Sequence, residues 1–80
     1  MDLGARYKAL LLLKQNVQLL TQAKSTNYLL LAKTHQLLAD NYNGLALYED
    51  YLEQCHLFYF YYKKAYPDKE IFKAVYYAYL

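Results

Sequence analysis

Residues 55–66 read CHLFYFYYKKAY, with five aromatic side chains in a row, Phe58 to Tyr62, followed by two lysines. Taken alone, an apolar run of this length is compatible with a buried strand, and the fold class turns on whether it is one. The residues before it decide. Leu45, Tyr48, Leu52, Cys55, Tyr59, Tyr62 and Tyr66 recur at spacings of three and four. That is the period of one helical face, and it passes through the aromatic run unbroken. No second segment offers itself as a strand partner. The run is therefore the C-terminal half of a helix over 45–66. Phe58 joins the main stripe of that helix. Leu57, Phe60 and Tyr61 fall instead among Asp50, Glu53 and Lys64, on the face that should meet water. A helix apolar nearly all round is buried on more than one side.

The rest of the chain reads as helix too. Leu3, Leu10, Leu13, Val17 and Leu20 mark one face of a first helix over residues 2–24, with Leu12 and Leu19 widening the stripe. Lys24-Ser25-Thr26-Asn27 is polar and rich in cap formers. A second helix follows over 27–40, its stripe formed by Tyr28, Leu31, His35, Leu38 and Tyr42. Asp40-Asn41-Tyr42-Asn43-Gly44 is expected to stop it, because Asp and Asn compete for backbone hydrogen bonds and Gly tolerates left-handed backbone. Pro67 ends the third helix and suits the first turn of a shorter fourth, which would bury Ile71 and Val75 and show Phe72 and Tyr76 on the next face.

Composition supports this reading. The chain has 80 residues, enough for one domain, with two glycines and one proline. So few turn formers argue for long helices rather than many short strands. The expected fold is all-α: a single domain over residues 1–80, an antiparallel bundle of three long helices and a shorter C-terminal fourth around a Leu/Tyr core. Hydrophobic residues make up 58% of the chain and aromatics 19%. A chain of this size buries only roughly 60–65% of the surface it exposes when unfolded. Some apolar area is thus left for a partner or a second copy.

Charge narrows the choice of partner. The net charge is +2, too small to announce a nucleic-acid protein. It is unevenly spread: residues 1–40 carry five bases and two acids, whereas 41–62 carry Glu49, Asp50 and Glu53 with no base. A single cysteine cannot form an internal disulfide, and Leu10–Leu13 is too short for the apolar segment of a leader. A cytoplasmic protein is the expectation. No window of about 18 residues is free of charge, which argues against a spanning helix.

The candidate chemistry is sparse. Cys55 and His56 are adjacent, and neighbours on a helix point about 100° apart, so they cannot work as a nucleophile and its base. Cys55 is read as a small buried hydrophobe and His35 as a core or rim histidine. A metal site built from His35, Cys55 and His56 would need a fourth ligand. No Gly-rich phosphate loop exists. Neither an enzyme nor a cofactor nor a small-molecule substrate is expected.

Residues 28–52 add one further observation. Tyr28, Leu31, Ala32 and His35, then Leu38-Ala39-Asp40-Asn41-Tyr42, then Gly44, Leu45 and Leu52, stand at spacings that resemble a degenerate tetratricopeptide repeat. The aromatic of that family's second helix falls at Glu49, with Tyr48 beside it, and no further copy follows about 34 residues on. The resemblance implies a helical hairpin that binds peptides or proteins, through a first-helix face near Leu29, Lys33 and Gln36.

The expected function is non-catalytic protein–protein interaction, by self-association or by capture of a helix or peptide. The expected partner-binding patch comprises Leu57, Phe60, Tyr61 and Lys64, with Phe72 and Tyr76. The alternative is a small nucleic-acid-binding protein that uses the Tyr/Lys-rich C-terminal region to stack bases and touch phosphates. A membrane-surface role would rest on the same Tyr and Lys mixture. Both have less support: the helix that would read DNA begins Leu45-Ala-Leu-Tyr-Glu-Asp, apolar and acidic where such helices carry Arg, Gln or Asn.

Overall fold

The computed structural model describes residues 3–67. They form three helices and no strand: α1 (Leu3–Gln22), α2 (Tyr28–Gly44) and α3 (Tyr48–Ala65). The aromatic run is helical, as its period requires. The expected fourth helix lies outside the described residues.

Burial is unequally shared. Eight residues of α2 are buried, against Leu10 alone on α1 and Cys55 and Phe58 on α3. The helices therefore do not surround a common axis equally; α2 is the middle element, with α1 and α3 packed on it. Tyr28 stacks with Tyr61, and His35 reaches Gln54. The start of α2 thus meets the end of α3, and the two run antiparallel. Arg6, near the start of α1, donates from Nη1 to the carbonyl of Asp40 near the end of α2, at 3.2 Å. These two helices are antiparallel as well.

Two sides of α2 serve its two neighbours. Ala32 and Ala39 lie on the same side as Tyr28 and His35, by the 100° step of the helix. Both alanines are completely buried, and side chains this small allow a facing helix to approach closely. Leu38 and Tyr42 join Leu10 of α1 in a cluster capped by Leu13, Val17, Leu45 and Tyr51. Tyr51 thereby ties the start of α3 to the α1 side.

The ends of the helices have local causes. The Asn27 side chain caps α2 by accepting from the amide of Leu30, at 3.0 Å. The C-terminal end of α2 differs from the expected stop at Asp40. Asn41 Nδ2 donates to the Leu37 carbonyl one turn back, at 2.9 Å, and Tyr42 is buried in the core. With its side chain satisfied inside the helix and its neighbour buried, the segment's weak propensity is overridden.

The turn comes at Ala46, the one described non-glycine residue in left-handed backbone, with φ of 59°. Leu47 N–H donates to the Tyr42 carbonyl at 2.9 Å and Ala46 N–H to that of Asn43 at 3.1 Å. This is a Schellman motif with alanine where glycine is usual. Gly44 has another role. A Cβ there would meet the Arg6 guanidinium, so its hydrogen lets Arg6 lie across the last turn of α2, near the negative end of the helix dipole.

The third helix starts at Tyr48, three residues later than expected, with no side-chain cap. Glu49 and Asp50 in its first turn and Lys63 and Lys64 in its last suit the dipole. Its rotation differs from the expected stripe. Cys55 and Phe58 are buried, with Tyr51, Tyr59 and Tyr62 half-buried, whereas Tyr48 and Leu52 are exposed. The side facing α2 is centred between Cys55 and Phe58 rather than on Leu52 and Tyr59. On an almost wholly apolar helix, periodicity selects no unique face, and the surface of α2 makes the choice.

Candidate functional site

Because α2 takes up one side of α1, the flanks of α1 are left outward. Tyr7 is 57% exposed and Leu11 60%. These two residues stand one turn apart and follow Leu3, also exposed, in a row along one edge. The row borders a groove of about 400 Å³. Tyr7, Leu10, Leu11 and Lys14 form its α1 wall. Tyr42, Leu47 and Asp50, from the corner between α2 and α3, form the other. The groove is mainly apolar, with one base and one acid on opposite walls. The Lys14 ammonium lies 5.8 Å from the centre of the Tyr42 ring, over its face.

On the opposite flank, a depression of about 300 Å³ lies between Asn16, Leu19 and Leu20 of α1 and Leu30 and Thr34 of α2. Leu19 is 67% exposed. The Thr34 hydroxyl donates to the Leu30 carbonyl at 2.8 Å, so it presents its methyl rather than a vacant donor.

The aromatic patch expected on α3 is divided. Phe60 is 50% exposed. Tyr61 is half-buried and stacks on His35, with ring centres 5.4 Å apart and planes 7° from parallel. It also stacks on Tyr28 at 6.2 Å and meets Phe60 edge-on at 5.1 Å. Lys64 lies over Phe60 at 4.9 Å and Tyr28 at 5.7 Å. Leu57 is half-buried. Phe60 and Lys64 thus form an outer layer over Tyr61, which reaches inward to α2. Phe72 and Tyr76 lie outside the described residues. On the first-helix face, Lys33 is exposed and Leu29 and Gln36 are half-buried.

Among the described residues, His35 and Cys55 are buried titratable groups. His35 is buried against α3, and its Nδ1–H donates to Gln54 Oε1 at 2.6 Å. Its pKa is lowered by burial, against the Gln54 hydrogen bond and the Glu53 charge, which raise it. The Cys55 thiol is fully buried. Burial pushes its pKa up, a hydrogen bond with Tyr51 lowers it, and the Asp40 charge raises it further. A thiol held protonated is a poor nucleophile. His56 is exposed on another side of α3. Among the described residues, no group of three or more His, Cys, Asp or Glu could hold a metal ion. Among the same residues, no helix is long and apolar enough to cross a membrane.

The sequence reading missed the Tyr7–Leu11 row. It followed the stripe through Leu3, Leu10, Leu13, Val17 and Leu20, widened by Leu12 and Leu19; Leu10, Leu13 and Val17 do pack in the core cluster, whereas Leu3, Leu12 and Leu19 are exposed. The signal was present as a second apolar row at four-residue spacing, Leu3, Tyr7 and Leu11, beside the first. Comparison with family models, curated proteins and solved structures gives no match.

Proposed function

We propose that this chain is a non-catalytic protein–protein interaction module, which associates with itself or takes up a helix or peptide. The observation that carries the reading is the outward row of Tyr7 and Leu11 beside an apolar groove. Large apolar side chains grouped at a concave edge and rimmed by charge have the composition of a docking surface. The four-residue spacing of the row suits an amphipathic helix, whose residues at steps of three and four enter such a groove.

Residues 28–52, whose spacing resembles a tetratricopeptide repeat, cover α2 and the start of α3, and their role in this reading is to support α1. The Phe60 and Lys64 surface is a second, smaller contact area. The nucleic-acid alternative is weaker. The helix that would read DNA, α3, carries Glu49 and Asp50 in its first turn, where such helices carry Arg, Gln or Asn.

A displayed library of amphipathic helical peptides, selected at nanomolar protein concentration, tests the reading. Wild-type protein should enrich binders, and the doubly substituted Tyr7→Lys, Leu11→Lys chain should not, while keeping its helical circular dichroism. Equal enrichment on both proteins, or no enrichment on a wild type whose mass also stays at 9.5 kDa on concentration, would refute it.

A further inference from the structure

We propose that the groove between α1 and the α2–α3 corner receives α1 of a second copy of this chain, in a two-fold pairing that sets Lys14 of each copy against Asp50 of the other. The inference rests on the reading of α1 as the interaction face and names its partner.

Charge distribution carries the argument. α1 is basic between Arg6 and Lys14, through Arg6, Lys8 and Lys14, whereas the first turns of α3 are acidic, through Glu49, Asp50 and Glu53. Within one chain these two sets are not matched to each other. Arg6 is held on the Asp40 carbonyl, and Lys14 lies over the Tyr42 ring. One member of each set borders the groove, Lys14 on the α1 wall and Asp50 on the opposite wall. An apolar groove with a base on one wall and an acid on the other is self-complementary under a two-fold rotation. The row of one copy enters the groove of the other, and the basic wall of each meets the acidic wall of its mate. A closed two-fold interface needs this reciprocity, in which one residue meets a second and the second meets the first. A generic apolar peptide would use the floor and leave both walls unmatched.

The pairing also explains the polarity of the exposed row. Tyr7 and Leu11 point outward, and in the pair they are covered. The contact is modest in extent, since α1 is about 30 Å long.

Charge reversal provides the test. Sedimentation velocity and light scattering over a hundredfold dilution series should show the wild type moving from 9.5 kDa toward twice that mass. Lys14→Glu and Asp50→Lys should each weaken association by at least about tenfold, because each places like charges together twice. An equimolar mixture of the two variants should regain wild-type association, since a mixed pair again has opposite charges at both contacts. A Lys14–Asp50 attraction within one chain would instead be restored only by combining both changes in that chain, leaving the mixture dissociated. That result would overturn the proposal, as would a wild type that stays at 9.5 kDa throughout. If the chain stays monomeric but the displayed peptides still depend on Tyr7 and Leu11, the second copy is excluded and the interaction reading stands. Leu11→Lys, exposed and remote from the core, serves as the association-null control should Lys14→Glu lose helicity.

Discussion

His35 of α2 and Gln54 of α3 share a side-chain hydrogen bond between the two helices, with Nδ1 to Oε1 at 2.6 Å. An amide oxygen only accepts, so the imidazole carries its proton on Nδ1. Its Nε2 is buried with no hydrogen-bond partner. A second proton there would place a charge in the hairpin with no acceptor on that side.

Stability should therefore fall in mild acid. The folded-state pKa of His35 lies below the ordinary 6.5. Above that pH both states are neutral and stability is at its full value. As pH falls below about 6.5 the unfolded chain takes the proton first, and stability drops until the folded pKa is reached, with a limiting slope of about 1.4 kcal/mol per pH unit. Urea unfolding from pH 8 to pH 5 measures this. Gln54→Glu should reduce the loss, because a carboxylate in place of the amide favours the imidazolium. Identical acid loss in parent and variant would mean that another group is responsible.

Ala46→Gly should stabilise the protein by about 1 kcal/mol. Left-handed backbone costs a residue with a Cβ roughly 1–2 kcal/mol, and the greater freedom of glycine in the unfolded chain returns part of the gain. The measurement is the urea midpoint. A loss of stability of similar size would be the response of an ordinary glycine inserted in a helix, and would place the turn elsewhere.

Phe58 and Tyr59 separate the two possible rotations of α3. Phe58 is 3% exposed and Tyr59 is half-buried. Phe58→Ala should cost about 3–5 kcal/mol, out of a total of roughly 4–12 kcal/mol for a chain of this length. Tyr59→Ala should cost only about 1–2 kcal/mol. Thermal unfolding of both variants gives the order, and a larger loss for Tyr59 would restore the stripe through Leu52 and Tyr59.

Much of the architecture was legible without coordinates, because its causes are local. The three-and-four spacing that runs from Leu45 through Tyr66 makes the aromatic run the continuation of a helix rather than a strand. Asn27 caps α2 by a bond to an amide three residues away. Of the expected α2 stripe, Leu31, His35, Leu38 and Tyr42 are buried, whereas Tyr28 at its start is exposed. Three features were not legible. The end of α2 passed beyond Asp40 because Tyr42 gains more from the core than Asn41 and Asn43 lose in propensity. The rotation of α3 was degenerate, since a helix with aromatics on every side offers several stripes, and the small surface of Ala32 and Ala39 selected the one through Cys55 and Phe58. The outward row of Tyr7 and Leu11 became distinct from the core row of Leu10, Leu13 and Val17 only when α2 occupied one side of α1. Local spacing states which residues share a face; which face is buried depends on the neighbour, and that neighbour comes from elsewhere in the chain.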